Sequence, residues 1–94
     1  MINLSNEKMI LISIIGALES IKGGGLSIDD AERMLFSPRI ICQLKGENCN
    51  LGIINILEKG CELEDIASLI PQDLIQSINE MQQEALEELK KLKY

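Results

Sequence analysis

Histidine, tryptophan and valine are absent from this chain, and phenylalanine and tyrosine occur once each. Without histidine the chain lacks the side chain that titrates nearest neutral pH, and it also lacks the commonest metal ligand in proteins. A catalytic triad of the usual kind and a histidine-ligated metal are therefore excluded.

Basic residues are also scarce. The 94 residues include 9 Lys and Arg against 15 Asp and Glu, which gives a net charge of −6. Proteins that bind DNA or RNA neutralise phosphates with clustered Lys and Arg side chains. The charge balance therefore predicts no nucleic-acid partner.

Apolar residues are abundant and come mostly from two types, with 16 Ile and 14 Leu in the chain. This is enough apolar mass for a hydrophobic core, and it excludes wholesale disorder. The length suits one domain, because domains typically have about 50 to 200 residues. We expect residues 1–94 to form a single helical domain.

The three cysteines, Cys42, Cys49 and Cys61, cannot all pair within the chain, and no C-x-x-C motif is present. Free thiols in a reducing cytosol are the simplest interpretation. Cys49 lies in the most polar loop of the sequence, so we expect it to be the most exposed of the three. A redox or nucleophilic role is not expected, because no electropositive setting is evident.

A run of apolar residues at 9–18 resembles the core of a signal peptide, but the residues before it include a Glu and do not form a basic region. The run is also shorter than the roughly 20 residues that span a membrane. We therefore expect a cytoplasmic protein with no membrane contact. A buried strand and a helix are both compatible with the many isoleucines of this run, and the length of the segment favours a helix.

Hydrophobic spacing, capping residues and Gly or Pro stops predict a series of helices. Their expected ranges are 5–22, 27–36, 39–45, 51–59, 63–70 and 72–93. The predicted fold class is all-α, a compact bundle of about five to six helices in which two long helices bracket several short ones. The first helix is apolar on nearly every side, which predicts a place at the centre of the bundle.

Two local motifs have structural explanations. The three glycines at 23–25 lack the Lys-Ser/Thr pair of a nucleotide-binding loop and indicate a hinge between helices. Ser27 can cap the helix that follows, and the acids Asp29, Asp30 and Glu32 sit in its first turns, where the helix dipole favours negative charge. We therefore predict no metal site there.

The acidity is concentrated in residues 58–88, which carry a net charge of −8, whereas residues 1–57 carry −1. A solvated surface would explain these acids, and so would a docking surface for a basic partner. Paired catalytic carboxylates would need a concave site with perturbed pKa values, which the pattern does not indicate. The candidate partner-binding residues are Glu58, Glu62, Glu64, Asp65, Glu80, Glu84, Glu87 and Glu88.

The last helix carries an apolar stripe that suggests an alternative. Its near-heptad spacing would suit pairing with a second copy of the chain, although Glu88 falls where such a seam needs an apolar residue. The stripe comprises Leu74, Ile78, Met81, Ala85 and Leu92. A homodimer is thus a second expectation.

Three stretches in this order also resemble a family of small bacterial proteins known only as a domain of unknown function. The stretches are 15–19, 26–38 and 62–71, and they contain IGALE, LSIDDAE, FSP and ELEDI followed by LIP. The resemblance covers most of the chain and implies no catalytic residues. In general character the chain is also similar to immunity proteins of bacterial toxin systems, which are small, acidic and often helical.

Together these observations predict a non-enzymatic protein-binding module with no cofactor and no metal. The most concrete hypothesis is an immunity protein that neutralises a basic, nuclease-type toxin through its acidic surface. The alternative is a self-associating structural or regulatory subunit without a toxin partner.

Overall fold

The computed structural model describes residues 6–92, and most of these residues are helical. In chain order the elements are α1 (Glu7–Lys22), α2 (Ile28–Met34), α3 (Pro38–Gly46), α4 (Leu51–Gly60), α5 (Leu63–Leu69), a 3-10 turn (Pro71–Asp73) and α6 (Leu74–Lys91). Residues 6–92 contain no strand, so the all-α fold class is confirmed. The isoleucine-rich run at 9–18 forms helix.

The expected count of five to six helices is corrected to four full helices, namely α1, α3, α4 and α6, with nine or more residues each. Within the described residues, α2 and α5 have seven residues each and connect the longer helices. Both are short because prolines follow them closely, at Pro38 and Pro71. Proline has no backbone N–H and disfavours helical geometry in the residue before it.

Side-chain caps set the beginnings of four helices. The side-chain oxygens of Asn6, Ser27, Ser37 and Asn50 accept hydrogen bonds from backbone N–H groups of α1, α2, α3 and α4. The cap predicted at Ser27 is confirmed, and Asn6, Ser37 and Asn50 cap α1, α3 and α4. Helix α6 begins later than expected because residues 71–73 form the 3-10 turn, and its expected last residue, 93, lies outside the described residues.

Helices α1 and α6 run antiparallel and form the main packed pair. Gln82 Nε2 donates to the Ile15 carbonyl at 3.3 Å, and Lys22 Nζ donates to Asn79 Oδ1 at 2.9 Å. The expectation that α1 lies at the centre of the bundle is wrong, since Met9 and Ile12 are 44% and 46% exposed. Part of α1 therefore remains in solvent.

The core lies where α1, α4 and α6 meet the shorter helices. Its buried apolar residues are Ile10, Leu11, Ile14, Leu18, Ala31, Leu35, Phe36, Ile40, Ile41, Leu44, Ile53, Ile54, Ile56, Leu57, Leu63, Ile78, Met81 and Ala85. The radius of gyration is 12.5 Å, close to the roughly 12 Å expected of a folded chain of this length. Among the described helices, none is both long enough and apolar enough to cross a membrane.

Candidate functional site

Most of the predicted partner-binding acids meet along one side of the molecule, between α4 and α6. The two helices run antiparallel there, because Lys59 near the end of α4 pairs with Glu84, whereas Gly52 near its start lies against Glu88 further along α6. Two adjoining open grooves follow this seam. The six predicted acids that line them are Glu58, Glu62, Glu80, Glu84, Glu87 and Glu88.

The first groove has a volume of about 470 Å³, and Ile66 and Met81 supply apolar side chains to its lining. The second groove, about 530 Å³, lies closer to the start of α4 and includes Ile56. Both grooves are lined by Lys59, Glu62 and Glu84, so they form one continuous surface. We call this surface the acidic groove.

Three of the groove carboxylates pair with lysines of the same chain. Lys59 Nζ lies 2.6 Å from Glu84 Oε2, Lys45 Nζ lies 3.3 Å from Glu58 Oε2, and Lys91 Nζ lies 3.3 Å from Glu88 Oε2. The lysine side chains are all more than half exposed. Exposed ion pairs contribute about 0 to 1 kcal/mol each, so a partner's cations can replace these lysines at little cost.

Glu88 differs from the other groove acids because it also packs within the fold. Its side chain is 19% exposed, and its carboxylate lies so close to Gly52 that a Cβ there would come within 2.9 Å of three of its atoms. Gly52 belongs to the first turn of α4, where the helix dipole favours a negative charge. Glu88 therefore stabilises α4 in addition to lining the groove.

The other two predicted acids, Glu64 and Asp65, lie away from the acidic groove. They face α2, where carboxylate oxygens of Asp29, Glu32 and Glu64 all lie within 4.8 Å of one another. Burial raises the pKa of Glu32 above its ordinary value, and the neighbouring Glu64 carboxyl raises it further. The structure thus divides the predicted acidic surface into a groove and a separate cluster.

Asp29 and Asp30 at the start of α2 form ion pairs within that helix, which agrees with their expected structural role. Arg33 Nη2 lies 2.6 Å from Asp30 Oδ1 and 3.0 Å from Asp29 Oδ2. The backbone N–H of Asp30 donates to Ser27 Oγ at 3.0 Å. The Arg33 guanidinium, together with the Ser27 hydroxyl, lowers the pKa of Asp30.

The apolar stripe of α6 serves the core of the fold. Ile78, Met81 and Ala85 are at most 3% exposed, so they are not available to a second copy of the chain. Pairing between copies would have to use other residues. The large apolar side chains that are exposed are Met9, Ile12, Met34, Leu51, Leu69, Ile70, Ile75 and Leu86.

The cysteines correct one expectation. Cys42 is exposed, whereas Cys49 and Cys61 are half-buried and pack against the core. Cys49 is shielded because Glu7 of α1 reaches the same loop and accepts the Asn50 backbone N–H at 2.7 Å. Burial and the Glu7 charge raise the pKa of the Cys49 thiol to about 11, which disfavours the reactive thiolate.

The groove lining also includes residues that the sequence did not predict as site residues, among them Lys59, Ile66 and Met81. The sequence placed Met81 in the apolar stripe of the last helix and Ile66 within the helix expected at 63–70, and Lys59 is the one base among the nine acids of residues 58–88. The i, i+4 spacing of Glu80 and Glu84 marked the α6 side of the groove, but no local signal placed α4 and α5 opposite it.

Comparison with known protein families gives one match. The family model described as a protein of unknown function (DUF3969) matches residues 3–94. The resemblance to a family of unknown function is therefore confirmed. We found no match among curated proteins or among solved structures.

Proposed function

The chain belongs to the DUF3969 family, and we propose that it is a non-enzymatic module that binds a basic protein in its acidic groove. The observation that carries the proposal is the gathering of six carboxylates from α4, α6 and the turn before α5 around one open surface. Among the described residues that line this surface, Lys59 is the one cation, and Glu84 already pairs with it.

Electrostatic complementarity explains why such a surface favours a protein partner with the opposite charge. A concentrated negative field speeds the encounter with a basic surface and discourages acidic partners, including nucleic acids. The binding would need neither a metal nor a cofactor. It would weaken as salt rises, because exposed charges are screened over about 8 to 10 Å at moderate ionic strength.

In its most concrete form the proposal is an immunity protein that neutralises a nuclease-type toxin in the cytoplasm. A nuclease has a basic surface because it binds phosphates, and an acidic protein seated there excludes the substrate by occupancy. The charge and the open form of the acidic groove support this role. The alternative, a self-associating subunit, has less support because the α6 stripe is buried within the fold.

The proposal is tested by a tagged pull-down from the native host, at low and moderate salt, with mass spectrometry of the captured proteins. The groove variant carries Glu80→Lys, Glu84→Lys and Glu87→Lys. Its matched control carries Glu47→Lys, Glu64→Lys and Asp65→Lys, which change the net charge equally but lie outside the groove lining. Both variants are first checked for folding by circular dichroism.

We expect the wild-type chain and the control variant to capture the same basic protein, and the groove variant to lose it. If the captured protein is a nuclease, added protein should inhibit its cleavage of nucleic acid. Equal capture by the groove variant would contradict the assigned surface. Recovery of the chain only as its own oligomer would favour the self-associating subunit.

A further inference from the structure

We infer that the acidic groove takes a basic peptide segment that carries an apolar side chain, and that Lys59 occupies the position of that segment's cation in the free protein. The inference rests on the proposed function, because it names the chemistry of the occupant of the same groove. It adds two claims. The segment places an apolar side chain in the groove as an anchor, and Lys59 acts as an intramolecular competitor of the segment's cation.

The apolar claim follows from the lining of the first groove. The exposed apolar atoms come from the half-buried Ile66 of α5, which lies over the buried Met81 of α6, and carboxylates flank this concave surface on both sides. A wholly polar occupant would leave these apolar atoms uncovered or in contact with charge. A leucine-sized side chain would cover them, and burial of apolar area is a large favourable contribution to association.

The basic claim follows from the positions of the carboxylates on either side of the groove. Glu58 and Glu62 lie on the α4–α5 side, and Glu80, Glu84 and Glu87 lie along α6. The α6 acids are spaced by four and three residues, so they extend over about 10 Å of one helix face. A segment with cations on both sides of its apolar residue complements this arrangement.

Lys59 provides a cation inside the groove before any partner binds. Its Nζ lies 2.6 Å from Glu84 Oε2, although the two residues belong to different helices, and its side chain is 52% exposed. The other carboxylate oxygen, Glu84 Oε1, is buried and accepts no hydrogen bond from the described residues. A cation of the partner that takes the place of Lys59 would bond the accessible oxygen, Glu84 Oε2.

Removing the Lys59 charge should therefore strengthen binding of a basic segment. We would measure this by fluorescence anisotropy at low salt with a short labelled peptide in which arginines flank a central leucine. The test variant is Lys59→Gln and the matched control is Lys45→Gln. Lys45 also pairs with a glutamate of the groove, but it belongs to α3 and does not line the groove.

We expect Lys59→Gln to bind the peptide roughly two- to five-fold more tightly than Lys45→Gln, the range that an exposed ion pair implies. Replacing the peptide's leucine with serine should weaken its binding to the wild-type chain roughly tenfold. Equal affinities of the two variants would overturn the competitor claim, and equal affinities of the two peptides would overturn the apolar anchor.

These outcomes are distinguishable from failure of the proposed function. Absence of binding by any of the peptides overturns the inference, whereas the proposed function is judged by the captured partner and the charge-reversed groove variant. A partner that binds the groove through charge alone would leave the proposed function intact and contradict the apolar anchor.

Discussion

Gly60 at the end of α4 packs directly against the ring of Phe36, so closely that a Cβ atom on the glycine would overlap the ring. Phe36 is 1% exposed and is among the largest fully buried side chains of the core. The glycine therefore does more than end a helix. It allows α4 to approach the segment after α2.

Gly60→Ala should destabilise the fold. The added methyl group meets a buried ring, and overpacking of this kind costs about 1 to 3 kcal/mol. For a domain of this size each kcal/mol lowers the Tm by about 4 to 8 °C. Thermal unfolding followed by circular dichroism measures the change.

Gly16→Ala is the matched control, because Gly16 also lies in a helix but a Cβ there would meet nothing within 4 Å. Alanine is a better helix former than glycine by about 0.5 to 1 kcal/mol, so this variant should be more stable than wild type. Equal losses of stability in both variants would contradict the contact with Phe36.

Gly24 should be the one position in the glycine triplet that resists substitution. Its φ is +81°, whereas Gly23 ends α1 with φ −81°. Left-handed geometry costs residues other than glycine about 1 to 2 kcal/mol. We expect Gly24→Ala to lower the free energy of unfolding in urea by about this amount and Gly25→Ala to change it little. Equal effects at the two positions would contradict the left-handed turn.

The cluster of Glu32 with Asp29, Glu64 and Asp65 should make stability depend on pH. Burial first, and then the Glu64 carboxyl, raise the pKa of Glu32 above its ordinary value of 4.5. The folded state therefore binds more protons than the unfolded state just above pH 4.5, and this contribution to stability is lost as pH rises through the raised pKa.

Glu32→Gln removes that dependence. Its stability should exceed that of wild type at pH 7, and the difference should shrink as pH falls below 4.5, where the wild-type carboxyl is protonated in both states. Urea unfolding at several pH values measures the difference between the two proteins, so the carboxylates that lie far from Glu32 cancel. A difference that does not change with pH would mean that Glu32 is not perturbed by this cluster.

The thiols should react in an order set by burial and charge. The exposed Cys42 should be alkylated by iodoacetamide before the half-buried Cys49, whose pKa is raised to about 11. The thiolate is the reactive form, so the rate at Cys49 should continue to rise well above pH 9. Mass spectrometry of peptides after timed alkylation measures both rates. Fast reaction of Cys49 near neutral pH would contradict its shielding by Glu7.

Features that depend on a few neighbouring residues were predictable from the sequence. Ser27 and Asn50 cap helices because their side chains bond backbone groups two or three residues away. Pro38 and Pro71 limit the short helices for equally local reasons. The all-α fold class was predictable from such signals, because the spacing of apolar residues and the residues that end a helix can be read within one segment.

Contacts between segments were not predictable in the same way. Glu62 lines the acidic groove, whereas Glu64 and Asp65 face α2, because each helical residue turns by about 100°. The sequence analysis grouped these three acids in one surface, because no local signal shows which helix each side chain will meet. The exposure of Ile12 was missed for a similar reason, since an apolar helix is covered only where enough neighbouring helices exist.

The most direct test of the acidic groove is a titration of isotope-labelled protein with the leucine-containing basic peptide, followed by NMR backbone amide shifts. We expect the largest shifts at groove residues such as Ser77, Met81 and Gln83, and we expect them to disappear in the variant with Glu80, Glu84 and Glu87 reversed. Shifts confined to the Asp29–Glu32–Glu64 cluster, or to the exposed side of α1 at Met9 and Ile12, would contradict the account.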